Sequence, residues 1–119
     1  MKKTVVILGI LLVGALGFSQ NKNAKATIEV DGVCGMCKER IEKASIGAKG
    51  VKSAIWSIET HELKLIYNDM KTDLTKIQQS IADSGHDTPE IKAEDAVYER
   101  LDPCCLYRDP KVVEDHKDD

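Results

Sequence analysis

The sequence has 119 residues, 31% of them charged and 4% aromatic, with a formal net charge of −3. An acidic balance argues against nucleic acid, which selects basic surfaces. A chain of this size with so few aromatic side chains supports one compact domain around a small aliphatic core.

Met1-Lys2-Lys3 precedes an uncharged apolar run from Val5 to Phe18, with Gly17 and Ser19 near its end. That order of positive, apolar and small residues is the pattern of a secretory signal peptide. The run falls short of the about 20 residues that a membrane span requires. Residues 1–19 are therefore predicted to be a signal peptide cleaved near Ser19. The expected product is periplasmic or secreted, with no membrane insertion after cleavage. Cleavage removes Lys2, Lys3 and no acid, which moves the net charge from −3 to −5.

Thr27-Ile28-Glu29-Val30 alternates polar and apolar residues and predicts a first strand; Asp31-Gly32 ends it. From Met36 to Ala48, Cys37, Ile41, Ala44 and Ala48 share one face of a helix. Ala54, Trp56 and Ile58 alternate in a second strand, Glu59-Thr60-His61-Glu62 forms a turn, and Leu63, Leu65 and Tyr67 alternate in a third. Thr72 is a candidate cap for a second helix, in which Leu74, Ile77 and Ile81 make one apolar stripe and which Gly85 ends. Thr88 to Ala93 reads as a short fourth strand, confined to an edge by Pro89. The order is β-α-β-β-α-β, a ferredoxin-like α+β sandwich with two helices on a four-stranded antiparallel sheet. This domain spans residues 24–93. Residues 94–119 form a C-terminal extension with a short helix before Pro103, the pair Cys104-Cys105 and a frayed acidic tail.

Cys34 and Cys37 stand where a loop runs into a helix. Two intervening residues let both sulfurs face one point, and the helix N-terminus, about half a positive charge, favours thiolates there. Thiolates are soft ligands that select Cu(I) and zinc-like ions over magnesium or calcium. A site of two thiolates leaves coordination positions open, so a partner's thiol can take over the ion by ligand exchange. A C-x-x-C alone is a weak signal; its place between a first strand and a first helix strengthens it.

Asp31-Gly32-Val33-Cys34-Gly35-Met36-Cys37, Gly50-Val51-x-x-Ala54-x-Trp56-x-Ile58, Leu65-Ile66-Tyr67-Asn68 and Ile81-Ala82-Asp83-Ser84-Gly85-His86-Asp87 together resemble the heavy-metal-associated domain family. That family includes copper chaperones, periplasmic mercury-binding proteins and modules of metal-pumping ATPases. The resemblance implies metal ligation by Cys34 and Cys37. Two positions depart from it: Gly32 stands at the family's usual Met and Val33 at its usual Thr or His, which implies a looser loop. His86 replaces the family's frequent Tyr near the loop and is a candidate cap or ligand.

Cys104-Cys105 is open to two readings: a second thiol site that joins or relieves the first, or a disulfide tether, which two adjacent cysteines form between themselves only under strain. His61 and His116 are read as solvated. The candidate metal residues are thus Cys34, Cys37, Cys104, Cys105 and His86. The expected cargo is Cu(I), with Hg(II), Zn(II) or Ag(I) as alternatives. Expected partners are a membrane metal transporter or another metal acceptor, and a metal-bridged dimer is compatible with the open site. No catalytic constellation is present. Two other functions fit the cysteines: a periplasmic thiol-disulfide protein and a closed four-cysteine zinc module. Against the first, the chain upstream of Cys34 is too short for a thioredoxin, and Val33 stands where a thioredoxin normally has Trp.

Overall fold

The computed structural model describes residues 21–117; the signal peptide expected at 1–19 and the last two residues of the tail lie outside them. Strand β1 (Ala24–Glu29) leads through a loop to helix α1 (Gly35–Gly47), then to β2 (Val51–Trp56), β3 (Glu62–Tyr67) and helix α2 (Leu74–Asp83). The sheet order is β1-β3-β2, with both pairings antiparallel.

Alternation along β3 buries Leu63 and Leu65 against the helices and turns Glu62 and Lys64 outward, as period-two patterning requires. In α1 the buried positions are Cys37, Ile41 and Ser45, spaced at i, i+4 and i+8. The Ser45 hydroxyl is satisfied by the Ile41 carbonyl at 2.7 Å, so its burial leaves no orphan donor. In α2, Ile77 and Ile81 complete a core that includes Val30, Trp56, Leu63 and Leu65. Helix α1 is tied to the end of β2 by side chains: the Glu42 carboxylate accepts from the Trp56 amide at 2.8 Å and Lys38 Nζ donates to the Trp56 carbonyl at 2.8 Å.

Helix α2 is capped by Asp73, not Thr72: the Asp73 carboxylate accepts from the Lys76 amide at 2.8 Å. Thr72 is instead buried, its own amide donating to the Asn68 carbonyl. At the other end Gly85 adopts φ +111°, in the left-handed region. Its amide donates to Ala82 and the next amide, His86, to Ile81, which closes the helix in a Schellman arrangement.

The expected fourth strand is not formed among the described residues, where the sheet has three strands. Residues 88–91 close a local turn: the Thr88 amide and hydroxyl both donate to the Ile91 carbonyl, and the Ile91 amide returns a bond to the Thr88 hydroxyl. The Ala93 amide is taken by the Asp87 carboxylate at 2.8 Å. With those donors spent and none on Pro89, a strand ladder has nothing to build on. A single backbone bond, Asp31 amide to Asp87 carbonyl, links this segment to the end of the first strand's path.

The extension is structured as far as residue 117. It contains helix α3 (Asp95–Tyr98), a 3-10 turn at Pro103–Cys105 and helix α4 (Pro110–Asp115). The acidic tail expected to fray from Lys111 is thus helical to Asp115, capped by Asp109, whose carboxylate accepts from the Lys111 amide. His116 Nδ1 bonds the Val112 carbonyl.

Candidate metal centre

The loop after β1 is held from below by Trp56. Its indole N–H donates to the carbonyls of Val30 and His61, at 3.0 and 3.1 Å. A Cβ placed on Gly32 would lie 3.1 Å from the Trp56 ring and 3.1 Å from Cys37 Cβ. Gly32 therefore does not loosen the loop: the Trp56 ring occupies the space that a larger loop residue would fill, and glycine is what lets the two pack together. His61, expected to be solvated and remote, stacks on Trp56 with ring centroids 5.6 Å apart and shares a pocket with Asp31, Gly32 and Val33.

Cys34 is the N-cap residue of α1, with extended backbone angles and no conventional cap hydrogen bond. Its sulfur lies 3.3 Å from that of Cys37, one turn into the helix and fully buried. The 3-10 turn of the extension brings a third sulfur to the same point: Cys34 Sγ to Cys105 Sγ is also 3.3 Å. Cys104 follows, with its sulfur 3.9 Å from that of Cys105 and 3.5 Å from the thioether of Met36. The sulfurs of Cys34, Cys104 and Cys105 all lie within 4.8 Å of one another. All four cysteines are free thiols.

The thiols differ in acidity. Burial pushes Cys34 up, but the amides of Cys37 and Met36 and the thiols of Cys37 and Cys105 outweigh it, and its pKa falls below the ordinary value. Burial raises Cys37. Burial also pushes Cys105 up to about 12, with the Arg40 guanidinium opposing and the neighbouring thiols adding to the rise. Burial raises Cys104 as well, so Cys34, at the helix N-terminus, is alone among the four thiols in being held below the ordinary value.

The extension is clamped onto the domain by polar side chains. The Tyr107 hydroxyl donates to the Gly85 carbonyl at 2.7 Å and accepts from the Asp87 amide at 2.9 Å. Arg108 grips the Asp87 carboxylate with two nitrogens, at 2.8 and 3.2 Å, and also reaches Asp95 and the Ala93 carbonyl. Its guanidinium carbon lies 4.2 Å from the centre of the Tyr98 ring. Arg40 on α1 pairs with Asp102 at 3.1 Å, immediately before the 3-10 turn.

His86 lies at the seam between domain and extension. It is fully buried and stacks on Tyr107, with ring centroids 5.3 Å apart. Its Nδ1 is 2.8 Å from the Asp31 carbonyl, which can only accept, so the proton is on Nδ1. Nε2 then faces the Arg40 guanidinium at 3.4 Å as an acceptor. Burial, reinforced by the Arg40 charge, lowers its pKa to about 4. Both ring nitrogens are in use, and His86 is not among the residues whose ligand atoms gather with the sulfurs.

Of the five residues singled out in the sequence, the structure thus brings the four cysteines together and leaves His86 as a neutral support. Sequence reasoning missed Arg40, Asp102, Tyr107 and Arg108 as neighbours of the centre, and no local pattern signalled them. The thioether of Met36, a residue of the loop motif, also lies beside the centre, 3.5 Å from the Cys104 sulfur.

No protein-family model matches the chain. The copper chaperone CopZ of Staphylococcus saprophyticus is 34% identical over 65 residues, 54% of this chain and 96% of that protein. CopZ of Staphylococcus aureus is 33% identical over 61 residues, 50% of this chain and 90% of that protein. Among solved structures, a CopZ metallochaperone superposes with a TM-score of 0.53 at 30% identity, covering 55% of this chain and 98% of its own. Oxidised MerP from Ralstonia metallidurans gives 0.53 at 27% identity, covering 56% and 93%. Cys34 and Cys105 are 71 positions apart, so a 65-residue match cannot hold both halves of the sulfur cluster. With nearly the whole of a copper chaperone matched by about half of its length, the chain belongs to the heavy-metal-associated domain family.

Proposed function

We propose that the chain is an exported carrier of a soft metal ion, Cu(I) in the first place, that binds the ion through Cys34 and Cys37 with Cys105 as a third thiolate. The observation that carries this reading is the convergence of the sulfurs of Cys37 and Cys105 on that of Cys34, each at 3.3 Å. Soft thiolates in low coordination number suit Cu(I) and Ag(I), and also Hg(II), better than hard cations. The ion is cargo. Each thiol gives up its proton as it binds, and a partner's thiolate then replaces the chain's own sulfurs one at a time. The half-exposed positions of Cys34 and Cys104 leave a side from which that exchange can begin. The partner is a membrane metal transporter or another thiol-bearing metal acceptor, met outside the cytoplasm as the signal-like N-terminus implies. The relatives are chaperones and metal-binding proteins, not enzymes, and this chain needs no catalytic group for the same task.

The convergence of four thiols also favours a second reading, a closed tetrahedral Zn(II) module. Against it, Cys37 is not among the residues that gather within 4.8 Å of both Cys104 and Cys105, so the four sulfurs do not surround one point.

Anaerobic titration of the reduced chain against a Cu(I) chelator of known affinity tests the carrier. Stoichiometric binding, followed by transfer to a thiol-bearing acceptor, is expected. Failure to take Cu(I), together with a reversible Cys34–Cys37 disulfide of high potential, would identify a thiol-disulfide protein instead.

A further inference from the structure

The four thiols form two overlapping triads. Cys34 is the hinge of an inner group, its sulfur 3.3 Å from each of the buried sulfurs of Cys37 and Cys105. Cys34, Cys104 and Cys105 make an outer one, all within 4.8 Å of one another and partly open to solvent. The triads share the Cys34–Cys105 edge. A metal–sulfur bond of about 2.3 Å puts the sulfurs of a trigonal site about 4 Å apart, close to the 3.3 to 3.9 Å of the Cys34–Cys37, Cys34–Cys105 and Cys104–Cys105 pairs. Met36 adds a fifth sulfur, 3.5 Å from Cys104 and 47% exposed, on the solvent side of the outer triad.

We propose that one chain holds two Cu(I) ions, bridged by the thiolates of Cys34 and Cys105. Cys37 completes the inner ion, and Cys104, backed by the Met36 thioether, completes the outer one. This rests on the soft-metal reading above and extends it from one ion to a pair. Binding is ligation only: four thiols release four protons, both ions remain Cu(I) and no electron moves. Two Cu(I) and four thiolates carry two net negative charges, and Arg40, held beside Cys105 by Asp102, offsets part of that charge. The outer ion, ligated by the more exposed sulfurs, is the first to reach a partner.

The test is native mass spectrometry of the reduced full-length mature chain, titrated anaerobically with Cu(I) in competition with a chelator. X-ray absorption of the saturated sample supplies a Cu–Cu distance. Two ions on a monomer and a Cu–Cu scattering shell are expected. Cys104→Ser should lower the capacity to one ion while retaining the first binding step, and Met36→Leu should weaken only the second ion, by about tenfold. Saturation at one ion, a second ion found only in dimers, or a Cys104→Ser chain that still takes two would overturn the proposal while leaving the single-ion carrier intact. Failure of the chain to bind any Cu(I) would instead defeat the carrier reading itself.

Discussion

The two halves of the sulfur cluster are positioned by different physics. Cys34 and Cys37 sit on a strand–loop–helix passage fixed by backbone hydrogen bonds, the Trp56 ring beneath Gly32 and the buried face of α1. Cys104 and Cys105 sit on a three-residue turn whose place depends on Tyr107, Arg108 and the Arg40–Asp102 pair. The first half is part of the domain core itself, in which Cys37 and Trp56 are both buried. The second joins the same core through Leu101, Cys105 and Tyr107 and is fastened in addition by polar contacts that can be removed one at a time. The extension thus brings two further thiols beside the loop of a heavy-metal-associated domain.

The sharpest way to separate the halves is at the sulfurs. Cys34→Ser removes the atom common to both triads and should lower Cu(I) affinity by more than about 100-fold, beyond what loss of a supporting residue costs. The chain should stay folded by circular dichroism, because Cys34 is only partly buried.

His86 joins the halves, and pH reads its contribution. Its pKa is about 4 when folded against an ordinary value of 6.5. The unfolded chain therefore binds more protons between those values, and stability rises with pH across that window. On acidification from pH 6.5 to 4 the metal-free chain should lose about 3 kcal/mol on this account. His86→Phe keeps the stacking on Tyr107 and should flatten that slope in denaturant titrations; an unchanged slope would assign the acid sensitivity elsewhere.

Arg108→Ala should cost about 2 kcal/mol, because it leaves the largely buried Asp87 carboxylate without its partner. Hydrogen exchange should quicken in residues 94–115 far more than in β1 to β3. Gly32→Ala probes the other half: the added methyl meets Trp56 and Cys37, and a loss of about 1 kcal/mol is expected, read as a lowered melting temperature.

Much of the first half was legible in the sequence. The alternation of Leu63 and Leu65, the stripe of Ile77 and Ile81, the terminating Gly85 and the place of Cys34 and Cys37 all follow from periodicity and local backbone chemistry. The second half was not. Cys104 and Cys105 stood open between a second thiol site and a disulfide tether, and their meeting with Cys34 depends on side-chain contacts between residues 20 to 70 positions apart, which no local pattern encodes. The fourth strand was misread because Thr88 to Ala93 has strand-like residues whose donors are claimed by Thr88, Ile91 and Asp87. His86 had the right chemistry for a ligand, yet its nitrogens are engaged by a carbonyl and a guanidinium that only the folded chain brings together.

X-ray absorption on the reduced chain loaded with one equivalent of Cu(I) tests most directly whether the two halves share the metal. Three sulfur ligands, falling to two in Cys105→Ser, are the expected result. Two sulfurs in the unaltered chain, unchanged by Cys105→Ser, would mean that Cys34 and Cys37 bind the ion alone and that the extension merely lies beside it.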